Sequence, residues 1–187
     1  MVRFFKIVFC LFFVISCKAQ IPTYPLGTDT LDLMGEYYLK DYNNNLDKFV
    51  GTWVYTQGTT TFTLVIKKAI KVRIVDYYSD ELQITFKYVQ NGVVKSNTLS
   101  LSGDKSPVIS MNFWPNNFSK MSLHYMDPER PKVIGKAVIN TTFIALGAPS
   151  KLQWSLVQTG LLNSHEGDPE VLMDFRVPTS ATLTKVN

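Results

Sequence analysis

Residues 82–94 read LQITFKYVQNGVV, and the fold is decided in this stretch. Leu82, Ile84, Phe86 and Tyr88 alternate with Gln83, Thr85 and Lys87, the period-two pattern of a strand with one buried face. Asn91-Gly92 follows. Both residues tolerate the positive φ of a type I′ turn, and such a pair between alternating runs is the strongest short hairpin signal. With these two as the loop, Gln90 opposes Val93, Ile84 opposes Leu99 and Leu82 opposes Leu101, so apolar residues meet at the far end of the hairpin. Phe86 then meets Asn97 and Tyr88 meets Lys95, and the face grows wetter toward the turn.

The same periodicity extends in both directions. Phe62, Leu64 and Ile66 share one face, with Thr61, Thr63 and Lys67 on the other. Further strands are expected at Val108 to Trp114, Lys120 to Met126, Val133 to Thr142, Leu152 to Gln158, Val171 to Val177 and Thr182 to Val186. Pro115-Asn116-Asn117, Asp127-Pro128, Gly147-Ala148-Pro149 and Gly167-Asp168-Pro169 punctuate them. Only one helical element is expected, a short turn over Leu46-Asp47-Lys48-Phe49, capped from Asn43 to Asn45 and ended by Gly51. Closely spaced strands without crossover helices predict an all-β, single antiparallel meander of eight to ten strands. Open edges invite aggregation, so the meander closes into a barrel or folds into a two-sheet sandwich.

Aromatic residues make up 13 % of the chain, which suits pleated, half-buried surfaces. The formal charge of +4 falls to +2 without Arg3 and Lys6, and no patch interleaves Lys and Arg with aromatics. Nucleic acid, which demands a basic footprint, is not an expected partner.

Arg3 and Lys6 precede an unbroken apolar run from Ile7 to Ile15, and Ser16-Cys17 ends it. This is the layout of a secretory signal and is too short to span a bilayer. The border Val14-Ile15-Ser16-Cys17 resembles a bacterial lipobox. The resemblance implies cleavage before Cys17 and acylation of its thiol, a durable membrane anchor once two or three chains are attached. The expected organisation is a signal peptide over 1–16, lipidated Cys17 and an extended tether over 17–35, and one β domain over 36–187. Cys10 leaves with the signal, so no intradomain disulfide is possible.

Phe49-Val50-Gly51-Thr52-Trp53 resembles the opening of lipocalin and fatty-acid-binding barrels, where G-x-W follows a brief helix. That resemblance implies a calycin-like barrel with Gly51 at a sharp bend and Trp53 in the barrel floor. The tryptophan's cationic partner would then be Arg176 or Lys185. A broader resemblance covers nearly the whole chain. The lipobox with Lys18-Ala19-Gln20, the run Gly35 to Asp41, Asn44 to Trp53, and the ending Phe175 to Lys185 are similar to a family of small uncharacterised Gram-negative bacterial lipoproteins, a domain of unknown function. Lys18-Ala19-Gln20 has neither the aspartate that holds such precursors at the inner membrane nor the acidic run that sends them to the surface. The periplasmic face of the outer membrane is the implied location.

The inventory for chemistry is thin. His124 lies on the strand face opposite Met121, Leu123 and Tyr125, and His165 lies in an acidic loop without calcium-site spacing. No G-x-S-x-G elbow or Gly-rich phosphate loop occurs. Asp80-Glu81 and Asp127-Glu129 read as solubilising carboxylates flanking turns. The expectation is therefore no enzyme, no cofactor and no metal. Two functions stand: a binding module for a hydrophobic small molecule or lipid, or a solid-cored interaction lipoprotein contacting an envelope protein, with the exposed-looking Trp114-Pro115 tip favouring the latter.

Overall fold

The computed structural model describes residues 20–114, 117–129, 133–142, 150–161 and 175–186. The expected signal peptide over 1–16, Cys10, Cys17 and the His165 loop lie outside these residues. Among the described residues eleven strands form one sheet. They are β1 (Thr23–Pro25), β2 (Tyr38–Lys40), β3 (Gly51–Gln57), β4 (Thr60–Ile74), β5 (Tyr77–Gln90), β6 (Val93–Asn97), β7 (Val108–Trp114), β8 (Asn117–Met126), β9 (Val133–Thr142), β10 (Lys151–Leu161) and β11 (Ser180–Val186).

Eight of them close an antiparallel ring, β3-β4-β5-β7-β8-β9-β10-β11, sealed where Lys185 of β11 pairs with Trp53 of β3. On the other side, Ile84 of β5 pairs with Val108 of β7. The ring leaves no sheet edge, which excludes the two-sheet sandwich and gives the architecture expected of a calycin-like barrel. The end where β3 starts at Gly51 is here the base. The end with the turns at Gly58 and Asn91-Gly92 is the mouth.

Alternation decides what enters the barrel. Phe62, Leu64 and Ile66 of β4, Leu82, Ile84 and Phe86 of β5, and Met121, Leu123 and Tyr125 of β8 are all buried, as are Leu152, Trp154 and Leu156 of β10 and Leu183 of β11. Each such side chain contributes about 1.5–3 kcal/mol when withdrawn from water. His124 is half-buried on the opposite face of β8.

The Asn91-Gly92 turn forms as expected, with φ of 52° and 74° and Gln90 opposite Val93. Its register then departs from the simple count. A bulge leaves Lys95 out of the ladder, so Tyr88 faces Ser96 and Lys87 faces Asn97. Thr98 next holds Phe86, donating its backbone N–H to the Phe86 carbonyl at 2.8 Å and accepting the Phe86 N–H on its hydroxyl at 2.8 Å. The chain turns away there, and Val108 rather than Leu99 becomes the partner of Ile84.

Four other expectations are corrected. Residues 42–49 make successive i→i+3 turns rather than a helical turn, and their cap is Asp41, whose carboxylate accepts the N–H groups of Asn45 (2.8 Å) and Leu46 (2.9 Å). Of the expected Val171 to Val177 strand, residue 175 is irregular, residues 176–177 are bends, and the rest lies outside the described residues. The Asp80-Glu81 pair flanks no turn, because β5 begins at Tyr77 and both residues are buried within it. The span expected as a tether holds β1, which pairs in parallel with β2, as β2 does with β5.

Candidate functional site

At the base, Trp53 is fully buried and donates its indole N–H to the Phe49 carbonyl at 2.7 Å. Lys185, level with it on β11, lies over the ring at 5.3 Å from the centroid. Gly51 makes room for that lysine: its φ is +132°, and a Cβ there would meet Lys185 Cε at 2.8 Å. The lysine, not Arg176, is the cation on the tryptophan.

A buried polar knot completes this end. Asp80 is 3 % exposed, and its carboxylate accepts the Tyr38 hydroxyl at 2.5 Å, the Asp41 N–H at 2.9 Å and the Lys71 N–H at 2.9 Å. Lys71 sits in the β4 bulge between Ala69 and Val72 with φ of 52°, so Asp80 takes up an N–H that the interrupted ladder leaves over. Burial, then the bond to Asp80, raises the Tyr38 pKa well above the phenol's usual value. Lys68 reaches Asp41 at 3.0 Å and Asp47 at 2.8 Å. Burial opposes its charge, but those hydrogen bonds prevail and its pKa is raised. Every one of these groups has a partner, and together they fasten residues 41–49 beneath the barrel.

The mouth is built differently. A chain of rings crosses the interior: Trp154 to Phe62 at 5.7 Å, Phe62 to Phe86 at 6.2 Å, and Phe86 to Tyr125 at 6.1 Å. Tyr55, Tyr88 and Phe175 continue it as partly buried rings packed against the core. Phe175 meets Tyr125 edge-on at 5.7 Å, and the Pro178 carbonyl accepts the Trp154 indole N–H at 2.7 Å. Between these contacts Arg176 binds Asp127, its Nη2 2.6 Å from Oδ1 and its Nε 3.4 Å from Oδ2, and it also pairs with Glu129. The bond to Asp127 leads in raising the Arg176 pKa. Asp127, read from sequence as solubilising, has a fully buried side chain.

Ser96 stands out in this setting. It opposes Tyr88 and therefore shares the inward face at the mouth. It is 4 % exposed, and its hydroxyl oxygen has no hydrogen-bond partner among the described residues. A ring-lined mouth in which the buried Ser96 hydroxyl has no partner among the described residues suits a ligand that has an apolar body and a polar end. Sequence periodicity signals Tyr88, but the bulge that turns Ser96 inward has no local signature.

His124 pairs across to Ile109 and Lys136 on the outer wall, away from the rings. Among the described residues no three His, Cys, Asp or Glu side chains gather to hold a metal ion. Cys17 lies outside the described residues, so no geometry bears on it.

No curated protein matches the chain, and no solved structure does. One family model matches residues 1–186, nearly the full length. The chain thus belongs to the family of unknown function DUF6705.

Proposed function

We propose that this protein is a non-enzymatic binding module, anchored through acylated Cys17 to the periplasmic face of an outer membrane, that holds an amphiphilic small molecule or lipid at the barrel mouth. The buried, unengaged hydroxyl of Ser96 beside Tyr88 carries the reading. The ligand's apolar part would lie among Tyr88, Tyr55 and Phe175, and its polar end would bond to Ser96. The signal-like N-terminus, the lipobox and Lys18-Ala19-Gln20 support the anchor and its location.

Native mass spectrometry of the purified full chain tests the binding: a co-purifying lipid-like mass is expected, and its repeated absence would overturn it. That absence would favour the second reading, an interaction lipoprotein, which the ring contacts filling the middle of the barrel support. Labelled fatty acid tests the anchor separately. It should enter the full chain and not Cys17→Ala, and equal incorporation in both, or none in either, refutes attachment at Cys17.

A further inference from the structure

We propose that the base of the barrel docks onto the headgroup region of the bilayer that holds Cys17, which rests on the anchor reading above. The chain enters the domain at this end. Thr23 of β1 pairs with Tyr38 of β2, which pairs with Tyr78 of β5, which pairs with Arg73 of β4, so all four stand in one row. Residues 18–22 alone separate Cys17 from Thr23. Fully extended, they span roughly 17 Å. Lipid on Cys17 would therefore keep the base close to the membrane surface.

What the base presents matches that surface. Beyond Ile66, the last β4 residue paired with β3, the β4–β5 hairpin runs on to a tip where Val75 is 81 % exposed. Met34, two residues before Glu36 on the loop leading into β2, is 95 % exposed, and Trp114 at the base end of β7 is 40 % exposed. Lone exposed apolar residues are ordinary, but here several share one end with half-buried tyrosines. Tyr37 stacks on Tyr77 at 5.0 Å, and Tyr24 meets Tyr37 edge-on at 6.3 Å. Lys71 and Arg73 lie over the Tyr78 ring at 5.3 and 5.7 Å, and Lys120 lies over Trp114 at 3.4 Å.

Aromatic rings with polar tips beside long basic side chains are what the boundary of a bilayer favours. Glu36, 3.8 Å from Arg73, and Asp76 at the tip offset part of the positive charge. Apolar and aromatic contact, rather than net charge, must then supply the affinity, and this selects a bilayer interface over a simply anionic partner.

The test uses the full chain reconstituted in phosphatidylethanolamine and phosphatidylglycerol vesicles, with and without brominated acyl chains. Trp53 and Trp154 are buried, so the difference between the full chain and Trp114→Phe reports Trp114. That emission should be largely lost in brominated vesicles. A second probe, Val75→Trp in the Trp114→Phe background, should be quenched as well, whereas Val93→Trp at the mouth should not. If the protein floats with the vesicles while the probes at 114 and 75 stay bright, the docking is wrong, the anchor survives and the surface belongs to a protein partner. Equal quenching at 93 also overturns it. Failure to float overturns the anchor and the docking together.

Discussion

Arg176, in the connection between β10 and β11, closes a two-pronged ion pair on Asp127 at the end of β8, a carboxylate whose side chain is fully buried. These residues are 49 apart in sequence, and their pairing fixes residues 175–178 across the mouth. Arg176→Ala removes the cation that neutralises a buried carboxylate and should cost about 3 kcal/mol in chemical denaturation. Arg176→Lys should recover only part of this, because an ammonium cannot reproduce the fork. Equal stability of Arg176→Ala and the parent would mean the pair contributes nothing.

Gly51 and Lys185 constrain each other through one site. Gly51→Ala should destabilise by about 1–3 kcal/mol, since its φ of +132° strains any L side chain and the new Cβ meets Lys185 Cε at 2.8 Å. In the double variant with Lys185→Ala the clash disappears and the strain stays. A coupling energy between the two substitutions, measured by a double-mutant cycle, separates these causes. Complete rescue would assign the whole effect to the clash.

Asp80 should be intolerant of amide replacement. Its three partners are all donors, the Tyr38 hydroxyl and the N–H groups of Asp41 and Lys71. Asp80→Asn turns an NH2 toward at least one of them and should cost about 2–3 kcal/mol in an unfolding titration, more than Tyr38→Phe, which removes one donor and leaves two. The reverse order would show that the tyrosine, not the carboxylate, organises the base.

Ser96→Ala should behave oppositely in two assays. The hydroxyl has no partner among the described residues, so its removal should leave stability unchanged or raise it by up to about 1 kcal/mol. If the mouth binds an amphiphile through this hydroxyl, the same variant should retain less of the co-purifying mass. A loss of stability would instead reveal a bond that Ser96 makes within the protein.

How much of this was legible follows from the range of each signal. Strand β5 and its Asn91-Gly92 turn depend on neighbours within the hairpin, so period and turn chemistry suffice. The bulge at Lys95 depends on Thr98 gripping Phe86, and no local pattern encodes it. Lys185 and Arg176 were indistinguishable as partners of Trp53 until ring closure set β11 beside β3. Asp80 looked like a turn residue because its ligands come from Tyr38, Asp41 and a bulge, all outside its own strand. The G-x-W run was readable for the opposite reason, since its glycine and its tryptophan stand two residues apart.

Glu81 makes the last prediction, on pH. The residue is 5 % exposed, and burial raises its carboxyl pKa although Gln83 donates a hydrogen bond to it at 2.9 Å. With the folded pKa above the unfolded one, the native state holds the proton longer. Between the two values the unfolded chain has released a proton that the folded chain keeps, so stability falls as pH rises through that window and stays lower above it. Glu81→Gln has no charge to bury and preserves an acceptor for Gln83. It should therefore unfold at higher denaturant than the parent at neutral pH, with the advantage shrinking as pH falls through that window toward the usual carboxylate value. Urea midpoints for both proteins between pH 4 and pH 7 decide this. A constant difference across the range would show that Glu81 is not buried against its charge.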